Sequence, residues 1–155
     1  MRRSEKEIVD RAEIDAIIRR SRVCRLGLSD CGQPYVVPLC FGYNGTAVYF
    51  HCAPDGRKLD ILSNNDKVCV EFDVLEGVVE DDQACRWGAR YQSVIGFGTA
   101  HIVSERAEKK DALALLMSQY SDRAFLFAEN MMERTVVVRV DIDSITGKQS
   151  KRLTE

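Results

Sequence analysis

The feature that most narrows the fold is a series of about six β-patterned runs joined mostly by turn chemistry. They are VCRLGL (23–28), PYVVPLCFGY (34–43), AVYFH (47–51), KVCVEFDV (67–74), YQSVIGFGTAHIVS (91–104) and TVVVRVDI (135–142). Tight connections favour antiparallel neighbours, because parallel strands need long crossovers. No run leads into G-x-G-x-x-G or a Walker loop, so a doubly wound nucleotide-binding sheet fails at its own motif. The first three runs read as a meander, with Asn44-Gly45 as the tight turn and Pro34 and Pro38 at strand starts, edges or bulges. Gly96 and Gly98 in the longest run predict a bend or bulge, and long curving strands of this kind suit a closed barrel. The expected fold is mainly β, a barrel of about six antiparallel strands with peripheral helices.

Two helices are predicted with some detail. The leading one covers residues 10–22: Asp10 and Glu13 have capping-box spacing, Val9 is placed to staple onto Ile14, and Ile14, Ile17 and Ile18 form one apolar face. Ser104 is the expected cap of a second, whose stripe is Leu113, Leu116, Met117 and Tyr120. A short helix starts at RKLDILSNN, with Leu59 and Leu62 on one side. Residues 76–90 read as irregular, 124–132 stay unassigned, and 144–155 read as a polar, basic tail. No repeat or linker divides the 155 residues, so one domain is expected over 1–155.

Charge and composition remove several functions. A net charge of -2 lacks the basic footprint of a nucleic-acid binder. The amino-terminal MRRSEKEIVDRAE has no apolar run after its basic residues, and no apolar stretch approaches the roughly 20 residues of a spanning helix, so a cytoplasmic protein without a membrane partner is expected. Six cysteines without a C-x-x-C pair argue against zinc and against a secreted disulfide framework; no metal site is expected.

The stretch YFHCAPDGRKLD (49–60) carries the most chemistry. A strand enters a loop, the loop reaches Gly56, and a helix begins at Arg57 and Lys58. Free N–H groups at a helix start favour an anion, and the two cations supply a forked contact and a point charge to phosphate. The same residues also fit a solvated helix end, where cations next to the positive dipole gain nothing. His51 is either a hydrogen-bonded wall residue or a functional imidazole seven residues from Lys58. Cys52 beside it resembles an activated thiol only if the two side chains meet, and adjacent strand residues point to opposite faces. No G-x-S-x-G elbow supports acyl transfer.

PYVVPLCFGY, YFHCAPDGRKLD, YQSVIGFG and ITGK, in this order from about Asp10 to Ser150, resemble the pyridoxamine 5′-phosphate oxidase-related FMN-binding proteins, within them the nitroimidazole-resistance-like branch. The resemblance implies a split β-barrel and a homodimer with FMN at the subunit interface. It places the phosphate on Arg57 and Lys58, the isoalloxazine along Val37, Pro38 and Leu39, and Ser93 and Val94 near the flavin's polar edge or ribityl chain. It sets His51 close to the ring, as proton donor or positioning group, and brings Lys148 from the other subunit. Such a slot, apolar for the ring, cationic for the phosphate and polar at the pyrimidine edge, is what a flavin requires. The implied activity is electron transfer from a reduced nicotinamide donor to a small acceptor such as a nitroaromatic or quinone. The alternative is a non-enzymatic protein that stores or carries FMN or another phosphorylated planar ligand. The substrate-holding arginine of true pyridoxamine-phosphate oxidases has only Arg152 in its region, which argues against vitamin B6 oxidation.

Overall fold

A computed structural model describes residues 4–150; Arg152 lies outside the described residues. In chain order the elements are β1 (Glu7–Ile8), α1 (Arg11–Arg20), β2 (Cys24–Asp30), β3 (Gln33–Leu39), β4 (Gly42–Tyr43), β5 (Ala47–Cys52), α2 (Arg57–Asn64), β6 (Lys67–Val79), β7 (Gly88–Ile102), α3 (Arg106–Ser118), α4 (Glu129–Glu133) and β8 (Val136–Gln149). The six long strands fall on the six predicted runs, with altered ends; the two-residue β4 is the separated end of the run 34–43, and β1 is a two-residue addition.

All pairings are antiparallel, in the order β3-β2-β6-β7-β8-β5-β4, with β1 also on β8. The predicted three-strand meander is therefore only half present. β2 and β3 form a hairpin around Cys31 and Gly32, both at positive φ, but the chain then breaks at Cys40-Phe41 and β4 joins β5 at the opposite end of the ladder. Leu39 and Gly42 are three residue steps apart, a reach of at most about 11 Å. The two ends of the path therefore lie side by side without a ladder between them: the barrel is split, not closed. Tyr120 pins this seam, its hydroxyl accepting from Phe41 N at 3.0 Å and donating to Arg22 O at 3.1 Å.

The barrel interior is filled by Leu26, Phe41, Phe50, Phe72, Val94 and Val138, all essentially buried, with Phe41 edge-on to Phe72 at 4.9 Å. α1 adds Ile14, Ile17 and Ile18 as predicted. Asp10 caps it by accepting from Ala12 N at 2.9 Å. The Val9 staple is absent, however, since Val9 is 84% exposed. β1 pairs Ile8 with Gly147, which turns Ile8 inward and, by alternation, Val9 outward. α1 also ends at Arg20, short of residue 22, because Ser21 is extended and Gln119 donates to Arg19 O and Ser21 O at 2.9 and 3.0 Å.

Three further expectations change. The polar tail is strand as far as Gln149: β8 continues past a register shift opposite Phe97 and Gly98, and pairs Gly147 with Val94. A Cβ at Gly98 would lie 2.0 Å from Asp141 O, so only glycine allows that close approach. Residues 76–79 and 88–90 are ladder, not irregular chain; a shift between Leu75 and Gly77, with Gly77 at φ 156°, absorbs the polar interruption that hides the period. The cap of α3 is Glu105, not Ser104, because Val103 N donates to Val137 O and keeps the chain extended one residue longer. Of the α3 stripe, Leu116 is buried and Leu113 and Met117 are half-buried, while Tyr120 lies beyond the helix at the seam. The unassigned stretch holds α4.

Candidate functional site

α2 seals one end of the barrel. Ile61 is buried and Leu59 and Leu62 pack against the core, which fixes the helix and leaves its first turn at the rim. Gly56 precedes it with φ 131°, a conformation strained for any other residue. Gly56 O accepts from Leu59 N at 2.9 Å and Asp60 N at 3.2 Å. No side chain caps the helix, so the N–H groups of Gly56, Arg57 and Lys58 point out of it unclaimed within the helix.

Both cations are set over aromatic rings. The Arg57 guanidinium lies 4.8 Å from the Tyr35 centroid, and Lys58 Nζ lies 5.3 Å from that of Phe50. Arg57 Nη2 is also 3.9 Å from Asp30 Oδ2, beyond hydrogen-bond range, so its donors stay available. Stacking aims the two charges without using their donors. Orphan N–H groups, a forked cation and a point cation thus belong to one helix turn, and the residues present fit a terminal phosphate.

Other predicted residues divide by strand alternation. Val37 and Leu39 face the barrel core with Tyr35, whereas Pro38 is exposed and lies opposite Arg25. Val94 is fully buried, while Ser93 is half-buried on the outer face of the sheet. There Ser93 sits between Asp73 and Lys148 in the ladder, and Lys148 in turn pairs with Glu7. The next outer row runs Pro38, Arg25, Glu71, Ile95 and Thr146. Arg25 is held there by Asp73 and by Glu71, the latter at 3.0 Å, and the hydrogen bonds that it donates to these two carboxylates push its pKa up. Ser93, Lys148 and Pro38 therefore share the outer face; Val37, Leu39 and Val94 do not.

His51 lies elsewhere. Along β5, Val48 and Phe50 face the barrel core, while Ala47 and Tyr49 belong to a second cluster with Val103, Ala112 and Val137 under α3. His51 follows Tyr49 in phase. It lines a cavity of about 210 Å³ with Leu113, Leu116, Met117, Met131, Met132 and Phe127. Cys52 has the other phase and feels Lys58; burial pushes its thiol pKa up, against the pull of that ammonium. His51 and Cys52 do not form a pair. Among the described residues no group of three His, Cys, Asp or Glu is placed to hold a metal ion, and no helix is long and apolar enough to cross a membrane.

Sequence reasoning missed Asp30 and Tyr35, the neighbours of Arg57. The available signal was the Cys31-Gly32 turn, which folds Tyr35 back along β2; that α2 lies over this hairpin is a tertiary fact.

This split barrel with an unclaimed helix start at its rim belongs to a recognised class. Residues 10–149 match the family model of pyridoxamine 5′-phosphate oxidase, and the chain belongs to that family. Among solved structures it is similar to a candidate 5-nitroimidazole antibiotic resistance protein of Bacteroides thetaiotaomicron, 32% identical over 92% of this chain and 86% of that one, with a TM-score of 0.84. The fold is shared with the flavocytochrome Anf3 of Azotobacter vinelandii (23% identity, 97% and 73% of the two chains, TM-score 0.83). It is shared as well with an FAD- and heme-binding protein of Mycobacterium smegmatis (20% identity, 97% and 76%, TM-score 0.85). An uncharacterized protein of Rhizobium meliloti is 28% identical over 65 residues, and that match spans only 42% of each chain.

Proposed function

We propose that this protein binds FMN and passes electrons from a reduced nicotinamide to a small acceptor such as a nitroaromatic or quinone. The observation that carries the reading is the first turn of α2, where three outward N–H groups meet Arg57 and Lys58 at the barrel rim. The flavin supplies the redox chemistry. The chain's residues bind and orient it: Arg57 and Lys58 take the phosphate charge, the β3 segment Val37-Pro38-Leu39 supplies a wall, and Ser93 and Lys148 offer polar contacts on the outer face. His51 is the protonatable group of the apolar cleft under α3 and serves as proton donor or positioning group for what enters there.

A homodimer with the flavin at its interface belongs to this reading. The outer sheet face exposes Val36 (62%), Leu75 (62%), Ile95 (41%) and Phe97 (56%), an apolar surface of the kind that marks association. A cytoplasmic setting is part of the reading too, supported by six cysteines that are all free.

A storage or carrier role is the second reading, and one observation favours it: within a subunit, His51 faces the α3 cleft while the phosphate cradle lies on the other side of β5. Turnover separates the two. The reductase reading predicts that NADH or NADPH bleaches the bound flavin and that nitroaromatics or quinones reoxidise it faster than they do free reduced FMN. A bound flavin that neither nicotinamide reduces would leave only the carrier.

A further inference from the structure

We infer that Tyr35 and Phe50 are positioning residues that seat the two cations of the cradle on the two free edges of the split barrel, so that a phosphate held by Arg57 and Lys58 ties those edges together; the inference rests on the flavin reading above. β3 ends the strand path and pairs only with β2. β5 reaches its own free edge at Phe50: β4 pairs with Val48 and Tyr49 and stops, whereas Phe50, His51 and Cys52 continue on β8 alone. Among the described residues no ladder joins β3 to β5. The first turn of α2 spans this gap. The Arg57 guanidinium lies 4.8 Å from the Tyr35 centroid on β3, and Lys58 Nζ, on the next residue, lies 5.3 Å from the Phe50 centroid on β5.

Both seats are fixed independently of the cations. Phe50 is buried in the barrel core, and Tyr35 lies opposite Leu28 in the β2–β3 hairpin and packs against the same core. The helix is tied to each side as well. Residues 53–56 link it to β5, and just past its far end Asn65 Nδ2 donates to Ser29 O of β2 at 3.1 Å. Without an anion, like charges on neighbouring residues repel, and each pushes against the edge that carries it. A phosphate carrying close to two charges at neutral pH reverses the sign. Both cations are drawn to it, and through their aromatic seats so are β3 and β5. The coupling is reciprocal, so whatever frees one edge weakens the ligand.

The test is hydrogen exchange read by mass spectrometry, on flavin-free protein and on protein saturated with FMN, together with FMN affinity from fluorescence quenching, for the natural chain, Tyr35→Phe and Tyr35→Leu. In the natural chain FMN should slow exchange on both edges, residues 33–36 and 50–52, by at least about threefold. Tyr35→Phe keeps the ring and should match the natural chain on both readouts. Tyr35→Leu keeps an apolar side chain without the seat: its Kd for FMN should rise about two- to fivefold, the effect of one exposed cation–π contact. At saturation its protection should persist on 50–52 and be lost on 33–36. Protection confined to one edge of the natural chain overturns the inference and leaves the flavin site standing, whether or not Tyr35→Leu folds. So does a Tyr35→Leu that matches the natural chain, or a Tyr35→Phe that behaves as Tyr35→Leu does. A natural chain that does not quench FMN overturns the site itself.

Discussion

The two sides of β5 are built from adjacent residues and do different work. On the barrel side, Phe50 supports the Lys58 ammonium, and α2 ends the barrel with a helix start whose N–H groups point outward. On the α3 side, Tyr49 and His51 face apolar residues of α3 and α4, and the imidazole is one of few polar groups there. A single strand thus separates the proposed anion site from an apolar cleft. Period-two alternation lets one short segment, YFHC, furnish both.

The contrast is most sharply tested by flavin affinity. Arg57→Ala with Lys58→Ala removes two charge-assisted contacts and should weaken FMN binding by about 3 kcal/mol or more, over a hundredfold. His51→Ala, on the far side, should leave it within about threefold. Equal losses in a fluorescence titration would erase the distinction between the two sides.

Gly42→Ala attacks the α3 side alone. Its Cβ would lie 2.7 Å from Leu116 N and 2.9 Å from the Leu115 carbonyl carbon, both helix backbone, so α3 must move off the sheet. A loss of about 2–3 kcal/mol is expected in urea unfolding, with FMN affinity of the folded protein retained. Coupled loss of affinity would show that α3 and the cradle are one unit.

The smallest effect concerns the seam. Tyr120→Phe leaves Phe41 N without its acceptor and Arg22 O without its donor, for an expected cost of about 1–2 kcal/mol. An unchanged unfolding midpoint would mean that the barrel edges are held by packing alone.

How much of this was legible in the sequence follows locality. The α1 face Ile14, Ile17 and Ile18, the opposite phases of His51 and Cys52, and the Gly56-Arg57-Lys58 start of α2 depend on neighbours in the chain, and each could be read there. The passage of the chain across the seam at Cys40-Phe41 could not, because PYVVPLCFGY has the pattern of one continuous strand and only the sheet order divides it. Ser144 to Gln149 looked like a tail because their burial comes from Ile8, Ile14 and β7 rather than from their own hydrophobicity; a Cβ on Gly147 would lie 2.8 Å from Ile8 Cβ. Val9 failed as a staple for the same reason: the two-residue β1 decides which side chain turns inward. Asp30 and Tyr35 reach Arg57 only through the packing of α2 on the β2–β3 hairpin.

The central claim is that this barrel retains a flavin through the start of α2. Its most direct test is the visible absorption spectrum of the purified protein, taken as isolated and again after incubation with FMN and desalting. The account predicts a flavin band that stays with the protein through desalting. A colourless protein that releases all added FMN would contradict it.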